Sequence, residues 1–180
     1  MFISLIQKRR SIRKFLDKHV EAEKIDLLIE AALRAPSSRG FQPCEFIVVS
    51  DKGLLEKLSI SKPHGSAFLN NAPLGIVICA DPSKCDVWIE DSSIASIFIH
   101  LAAESIGLGS CWVQIRERMH NNDKSAQQYI SEILAIPDGL MVESIVGIGY
   151  PDEIKLPVSK EALQYKKVFL DSYGKSYYQR

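Results

Sequence analysis

Residues 9–13 read Arg9-Arg10-Ser11-Ile12-Arg13, three guanidinium groups and one hydroxyl in five positions. These are groups that grip a phosphate monoester. Arginine's planar fork makes two parallel, charge-assisted bonds to phosphate oxygens, and such bonds are stronger than neutral ones. In an extended segment alternate residues share a side, so Arg9, Ser11 and Arg13 would act together while Arg10 and Ile12 face elsewhere. The chain as a whole is balanced, with 22 Lys+Arg against 22 Asp+Glu, so the run reads as one local anion site. A net charge of zero argues against nucleic-acid binding, which rests on phosphate neutralisation. Taken alone, a basic pentapeptide equally describes a solvated surface or a docking patch.

Other reactive side chains point less sharply. His19, His64, His100 and His120 lack metal-ligand spacing, and His100 sits in an apolar helical stretch, where it reads as a core group with its hydrogen bonds satisfied. Cys44, Cys79, Cys85 and Cys111 form no CxxC pair and no zinc-like cluster. They read as reduced thiols of a cytoplasmic protein, with Cys111 a small buried residue and not a nucleophile. No metal is expected. Residues 1–6 are too short for a signal-peptide core, and Lys8-Arg9-Arg10 follows that apolar patch instead of preceding it. No uncharged run approaches the roughly 18 residues of a membrane span, so no membrane association is expected.

The elements that must position these groups follow from periodicity and punctuation. At 180 residues and 20.2 kDa, 46% hydrophobic and 24% charged, one domain over 1–180 with a substantial core is expected. Ile25, Leu28, Ile29, Ala32 and Leu33 recur at helical spacing, and Pro36 stops that helix. Residues 36–43 form a small-residue loop. Strands are predicted at 46–49, 74–80, 110–113 and 143–148, with helices at 54–58, 87–106 and 125–134 and a loop at 62–73. The helix at 87–106 is apolar almost all round in its later part, which predicts burial on every side, in so small a chain against a second copy. Gly107 is placed to cap it. The tail, 159–180, is predicted helical at first and then extended. Strands separated by helices around one central helix indicate three layers.

Four pieces in order resemble the FMN-dependent nitroreductase family: Arg9-Arg10-Ser11-Ile12-Arg13; Ala35-Pro36-Ser37-Ser38 with Gln42-Pro43; Gly107-Leu108-Gly109-Ser110-Cys111-Trp112; and Gly147-Ile148-Gly149-Tyr150-Pro151. The resemblance implies an α+β three-layer fold, its mixed, mostly antiparallel sheet flanked by helices. It also implies an intertwined homodimer with two FMN sites at the subunit interface. The apolar helix would then be the dimer core, and the tail (about 159–180) would reach across the partner.

Carried over by residue, the resemblance gives Arg9 and Ser11 to the FMN phosphate, with Arg10 a weaker contact. Arg13 goes to the pyrimidine edge of the ring, where a cation favours the anionic reduced flavin. There each 1.4 kcal/mol of preferential stabilisation raises a two-electron potential by about 30 mV. Pro36, Ser37, Ser38 and Gln42 would come from the second subunit. The backbone of Trp112, Val113 and Gln114 would run past the ring, with Gln114 near N5. Lys167 would add a second phosphate ligand, with Lys155 and Lys160 as competitors.

The implied activity is an NAD(P)H-dependent FMN oxidoreductase. It would pass hydride from NADH or NADPH through FMN N5 to a small-molecule acceptor, a nitroaromatic or quinone, by a ping-pong mechanism. An FMN storage or sensor protein, and a reductive dehalogenase or flavin-modifying variant, use the same scaffold. The chain departs from the common family pattern where Gly40, preceded by Arg39, replaces an asparagine and Cys44 a tryptophan, changes that would open or repack that side of the pocket.

Overall fold

The computed structural model describes residues 2–178. Four strands, β1 (Cys44–Val49), β2 (Leu74–Ala80), β3 (Gly109–Gln114) and β4 (Met141–Gly149), form one sheet in the order β1-β2-β4-β3, every neighbouring pair antiparallel. Both faces of the two central strands are covered, and β2 is accordingly a continuous apolar run, whereas β4 carries Glu143 and Ser144 among its buried apolar residues. On one face Leu74, Ile76, Ile78, Val146 and Ile148 pack with Leu28 and Ala32 of α2 (Ala22–Leu33) and with Ile99 and Ala103 of α4 (Trp88–Ser105). On the other, Val77, Cys79, Val113 and Ile145 meet Leu55 and Leu58 of α3 (Lys52–Ser59), Leu69, and Ala126 and Ile130 of α5 (Ala126–Leu134). The result is the expected α+β three-layer arrangement.

Local signals account for the element ends. Ser125 and Gln128 close a reciprocal capping box on α5, satisfying two backbone donors. Gly107 takes φ +78°, and the Leu108 N–H donates to the Ala103 carbonyl at 2.8 Å, which ends α4 and turns the chain into β3.

The parallel component of the sheet is only a bridge between Ser11 and Ser110, reinforced by the Ile12 N–H donating to the Ser110 carbonyl at 2.9 Å. Residues 9–15 thus form a strap along β3, the sheet edge. Gly109 makes the approach possible, since a Cβ there would lie 2.8 Å from Ile12 Cβ.

Several expectations need correction. The N-terminal segment, given no secondary structure above, holds a helix, α1 (Phe2–Lys8), and α2 begins at Ala22, before the first strongly periodic residue. The loop at 62–73 contains a 3-10 turn, Ala67–Asn71. The tail has no α-helix among its described residues. It holds 3-10 turns at Lys160–Ala162 and Tyr165–Lys167 and a bridge between Phe169 and Ser176. Residues 159–168 are exposed throughout, so a helix there would have no core to bury a face against. The expectation for α4 involved a second copy and is not corrected by the single chain, in which Ile97 and Phe98 are 42% and 37% exposed. No helix among the described residues is long and apolar enough to cross a membrane.

Candidate active site

The strap's backbone is pinned on both sides, which fixes where its side chains leave. Besides the Ser110 bridge, the Leu16 N–H donates to the Tyr150 carbonyl and the Asp152 N–H to the Lys14 carbonyl, each at 2.9 Å. Ile12 and Phe15 are buried beneath it. The Glu153 carboxylate accepts from the Arg13 N–H at 2.5 Å and the Lys14 N–H at 3.2 Å. The Arg13 backbone bond leads in holding Glu153 below the usual carboxylate range.

Arg9 and Arg10 leave the strap toward different partners. Arg9 Nη1 lies 2.8 Å from Nε2 of His100 on α4, and Nδ1 of that ring hydrogen-bonds Ser110 Oγ. Arg10 points elsewhere and donates to the Leu156 carbonyl. Lys155 Nζ donates to the Ser11 carbonyl at 2.7 Å and pairs with Glu153 at 3.1 Å. Arg13 is exposed. Cys111 lies beneath this cluster: burial raises its thiol pKa, while the charges of Arg13 and Lys155 and a Ser11 hydrogen bond pull it back. It is a covered thiol, as the sequence predicts.

Of the cavities that border the strap, two share Trp112, which is 42% exposed on β3. The larger, about 570 Å³, is lined by Arg13, Lys62, His64, Trp112, Gln114 and Arg118 among others, with no carboxylate in its wall. The smaller, about 310 Å³, is lined by Arg9, Ser93, Ser96, Ile97, His100 and Trp112. Lys62 donates to the Gln114 carbonyl at 2.7 Å, and burial followed by the charge of Arg118 lowers its pKa. The Gln114 side chain is held by Arg118 at 2.7 Å and by the Arg116 carbonyl at 3.2 Å. Glu143 is buried at the β4 irregularity, its Oε2 without a hydrogen-bond partner among the described residues, and burial raises its pKa.

The loop at 36–43 lies apart from these cavities in the single chain. Pro36, Ser37 and Gln42 line a separate recess of about 120 Å³ with Cys44 and Asp91. Ser37 Oγ accepts from the Gln42 N–H, and the Ser38 N–H donates to Asp91 Oδ1, both at 2.9 Å. Arg39, Gly40 and Gln42 all take positive φ (53°, 70° and 46°), a conformation that suits the glycine and strains its neighbours.

Lys167 falls in an exposed turn of the tail, as does Lys160; the lysine beside Ser11 is Lys155. Lys62, His100, Arg118 and Glu153 were not foreseen as site residues. Their only sequence signal is residue type, since His100 meets Arg9 across 91 positions. No group of metal-ligating side chains occurs among the described residues.

A three-layer α+β chain whose edge strand carries an arginine strap, bordered by one strongly basic cavity and a smaller one whose single charged wall residue is Arg9, suits a phosphate-bearing, ring-containing ligand. The sequence pattern of the nitroreductase family matches residues 6–62, which include the strap and the 36–43 loop. A protein of Archaeoglobus fulgidus named NADH dehydrogenase/NAD(P)H nitroreductase is 38% identical over 157 residues, 85% of this chain and 87% of that one. An FMN reductase [NAD(P)H] of Bacillus subtilis is 28% identical over 193 residues, spanning 94% of this chain and 74% of that one. An FMN-dependent nitroreductase of Clostridium difficile superposes with a TM-score of 0.94 at 50% identity, over 95% of this chain and 99% of that one. The chain belongs to the nitroreductase family.

Proposed function

We propose that this chain is an NAD(P)H-dependent FMN oxidoreductase working as a homodimer, with one FMN seated beside each strap. The observation that carries the reading is the donor set along one sheet edge. Arg9, Ser11, Arg13 and Lys155 lie along it, Arg9 lining one and Arg13 the other of two cavities that share Trp112, with Lys155 bonded to the Ser11 carbonyl. These residues suit a phosphate monoester with an electron-rich ring attached. When bound, FMN would supply the two-electron chemistry, taking hydride from NADH or NADPH and giving it to a nitroaromatic or quinone acceptor in alternation.

The chain's own work is grip, charge and exclusion of water. Arg9 and Ser11 hold the phosphate, with Lys155 close enough to share its charge. Arg13 and Lys62 present cations to the pyrimidine edge, favouring whichever redox state carries more negative charge there. The Trp112–Gln114 backbone forms the wall beside the ring, and Gln114 is fixed by Arg118 and Lys62. A second copy would cover the exposed row of α4 and bring its Pro36, Ser37, Ser38 and Gln42 to the open side of the ring. The tail, Lys167 included, would cross the partner. Free cysteines suit a reducing cytoplasm.

An anaerobic absorbance trace of the purified protein tests this. The protein should be yellow, bleach with NADH or NADPH, and regain its colour when a nitroaromatic or quinone is added. A yellow protein that resists both donors would instead support FMN storage or sensing. A colourless protein that ignores added FMN would overturn the flavin reading.

A further inference from the structure

Of the four histidines only His100 is buried, and its ring is hydrogen-bonded to the strap through Arg9. Its two contacts fix its chemical form. A guanidinium has donors and no acceptor, so Nε2 must offer its lone pair to Arg9 Nη1, 2.8 Å away. The ring proton then sits on Nδ1 and is donated to Ser110 Oγ. Ser110 is also the residue that bridges Ser11 through the backbone. One neutral imidazole therefore joins the edge strand, the central helix and the first arginine of the strap. Burial and the nearby Arg9 charge hold its pKa down to about 4, so the ring stays an acceptor at neutral pH.

We infer that His100 is a positioning residue for the cofactor phosphate: it holds the Arg9 guanidinium, by one Nη, in the pose in which its remaining donors take the phosphate. An arginine loses much rotamer freedom when it grips a ligand, and fixing it beforehand removes that cost from binding. Arg10, which lacks such a partner on α4, is tied to the Leu156 carbonyl instead. The inference rests on the flavin reading above.

Comparing FMN with riboflavin isolates the phosphate, because the two differ only there. Flavin fluorescence titrations of the flavin-stripped, full-length protein give both affinities. His100→Phe should lower FMN affinity about tenfold, equivalent to about 1.4 kcal/mol, and leave riboflavin unchanged. His100→Gln, whose amide oxygen reaches the Nε2 position, should restore most of the loss. Ser110→Ala should shift the FMN-to-riboflavin ratio the same way by about threefold, and His100→Phe should add nothing once Arg9 is alanine.

Equal weakening of FMN and riboflavin by His100→Phe would overturn the inference, showing a merely structural histidine. So would an unchanged ratio. If His100→Phe does not fold, an unchanged ratio in Ser110→Ala overturns it equally well. A wild-type protein with no preference for FMN over riboflavin would instead refute the flavin reading itself.

Discussion

The strap at 9–15 and the tail beyond Leu156 flank the same sheet edge, yet one is locked and the other is not. The strap is pinned by backbone bonds to Ser110, Tyr150 and Asp152, buries Ile12 and Phe15, and nests into the space that Gly109 leaves. The tail leaves Leu156 79% and Tyr173 94% exposed, and its backbone bonds close on itself, as from the Leu170 N–H to the Lys175 carbonyl at 2.8 Å. Ring contacts such as Tyr165 with Tyr178, centroids 4.7 Å apart, are also internal to it. A side chain that must grip a ligand in a fixed pose belongs on the locked segment. A segment rich in exposed aromatics and lacking core contacts belongs against another surface, here proposed to be the second copy.

The comparison sharpens first under acid. His100 couples the strap to α4 and is neutral when folded, with a pKa near 4 against an ordinary 6.5. Between those values the unfolded chain binds the proton and the folded one does not, so stability falls as pH drops from 6.5 toward 4. The full loss is about 3 kcal/mol. Urea unfolding at pH 7 and pH 4 should show this component in the wild type, and His100→Gln should lack it. An equal pH dependence in both proteins would uncouple the strap from the histidine.

Gly109→Ala comes next. A methyl group there must displace Ile12, and overpacking of this kind costs about 1–3 kcal/mol. The variant should melt lower and hold FMN less tightly, whereas Gly174→Ala, which has room for a Cβ but strains the tail's own turn at φ +89°, should leave FMN binding as it was. Similar FMN loss in both would erase the distinction between the segments.

The smallest effect on folding should come from ending the chain after Val158. That change should alter unfolding of the monomer by less than about 1 kcal/mol, in keeping with the loss of surface contacts. It should nevertheless raise the dimer dissociation constant at least tenfold in sedimentation. An unchanged dimer would show that the tail does not reach across a partner.

Much of this frame was legible in the sequence. The apolar run at 74–80 matches β2 (Leu74–Ala80) at both ends, and Ser125 and Gly107 mark helix ends by cap chemistry that depends on neighbours alone. Strand and helix identity are local properties, so pattern reveals them. The site was legible only in outline. Alternation at 9, 11 and 13 anticipated that Arg10 would face away from Arg9, but nothing local could show that His100 would meet Arg9. Likewise Lys155 lies beside Ser11 because β4 returns next to the strap, a consequence of topology across 144 positions. The tail was misread as helical because Ala162, Tyr165 and Phe169 recur at helical spacing, while the absence of a core beneath residues 159–168 is a tertiary fact that no local pattern carries.

The most direct test of the account compares FMN dissociation constants for Arg9→Ala and Arg10→Ala, measured side by side by fluorescence titration. Hydrogen bonds to charged groups contribute about 1.5–3 kcal/mol, so Arg9→Ala should weaken FMN binding by tenfold or more. Arg10→Ala, which only frees the Leu156 carbonyl, should stay within about threefold of the wild type by the same scale. Equal losses in the two variants would contradict the claim that one side of the strap seats the cofactor.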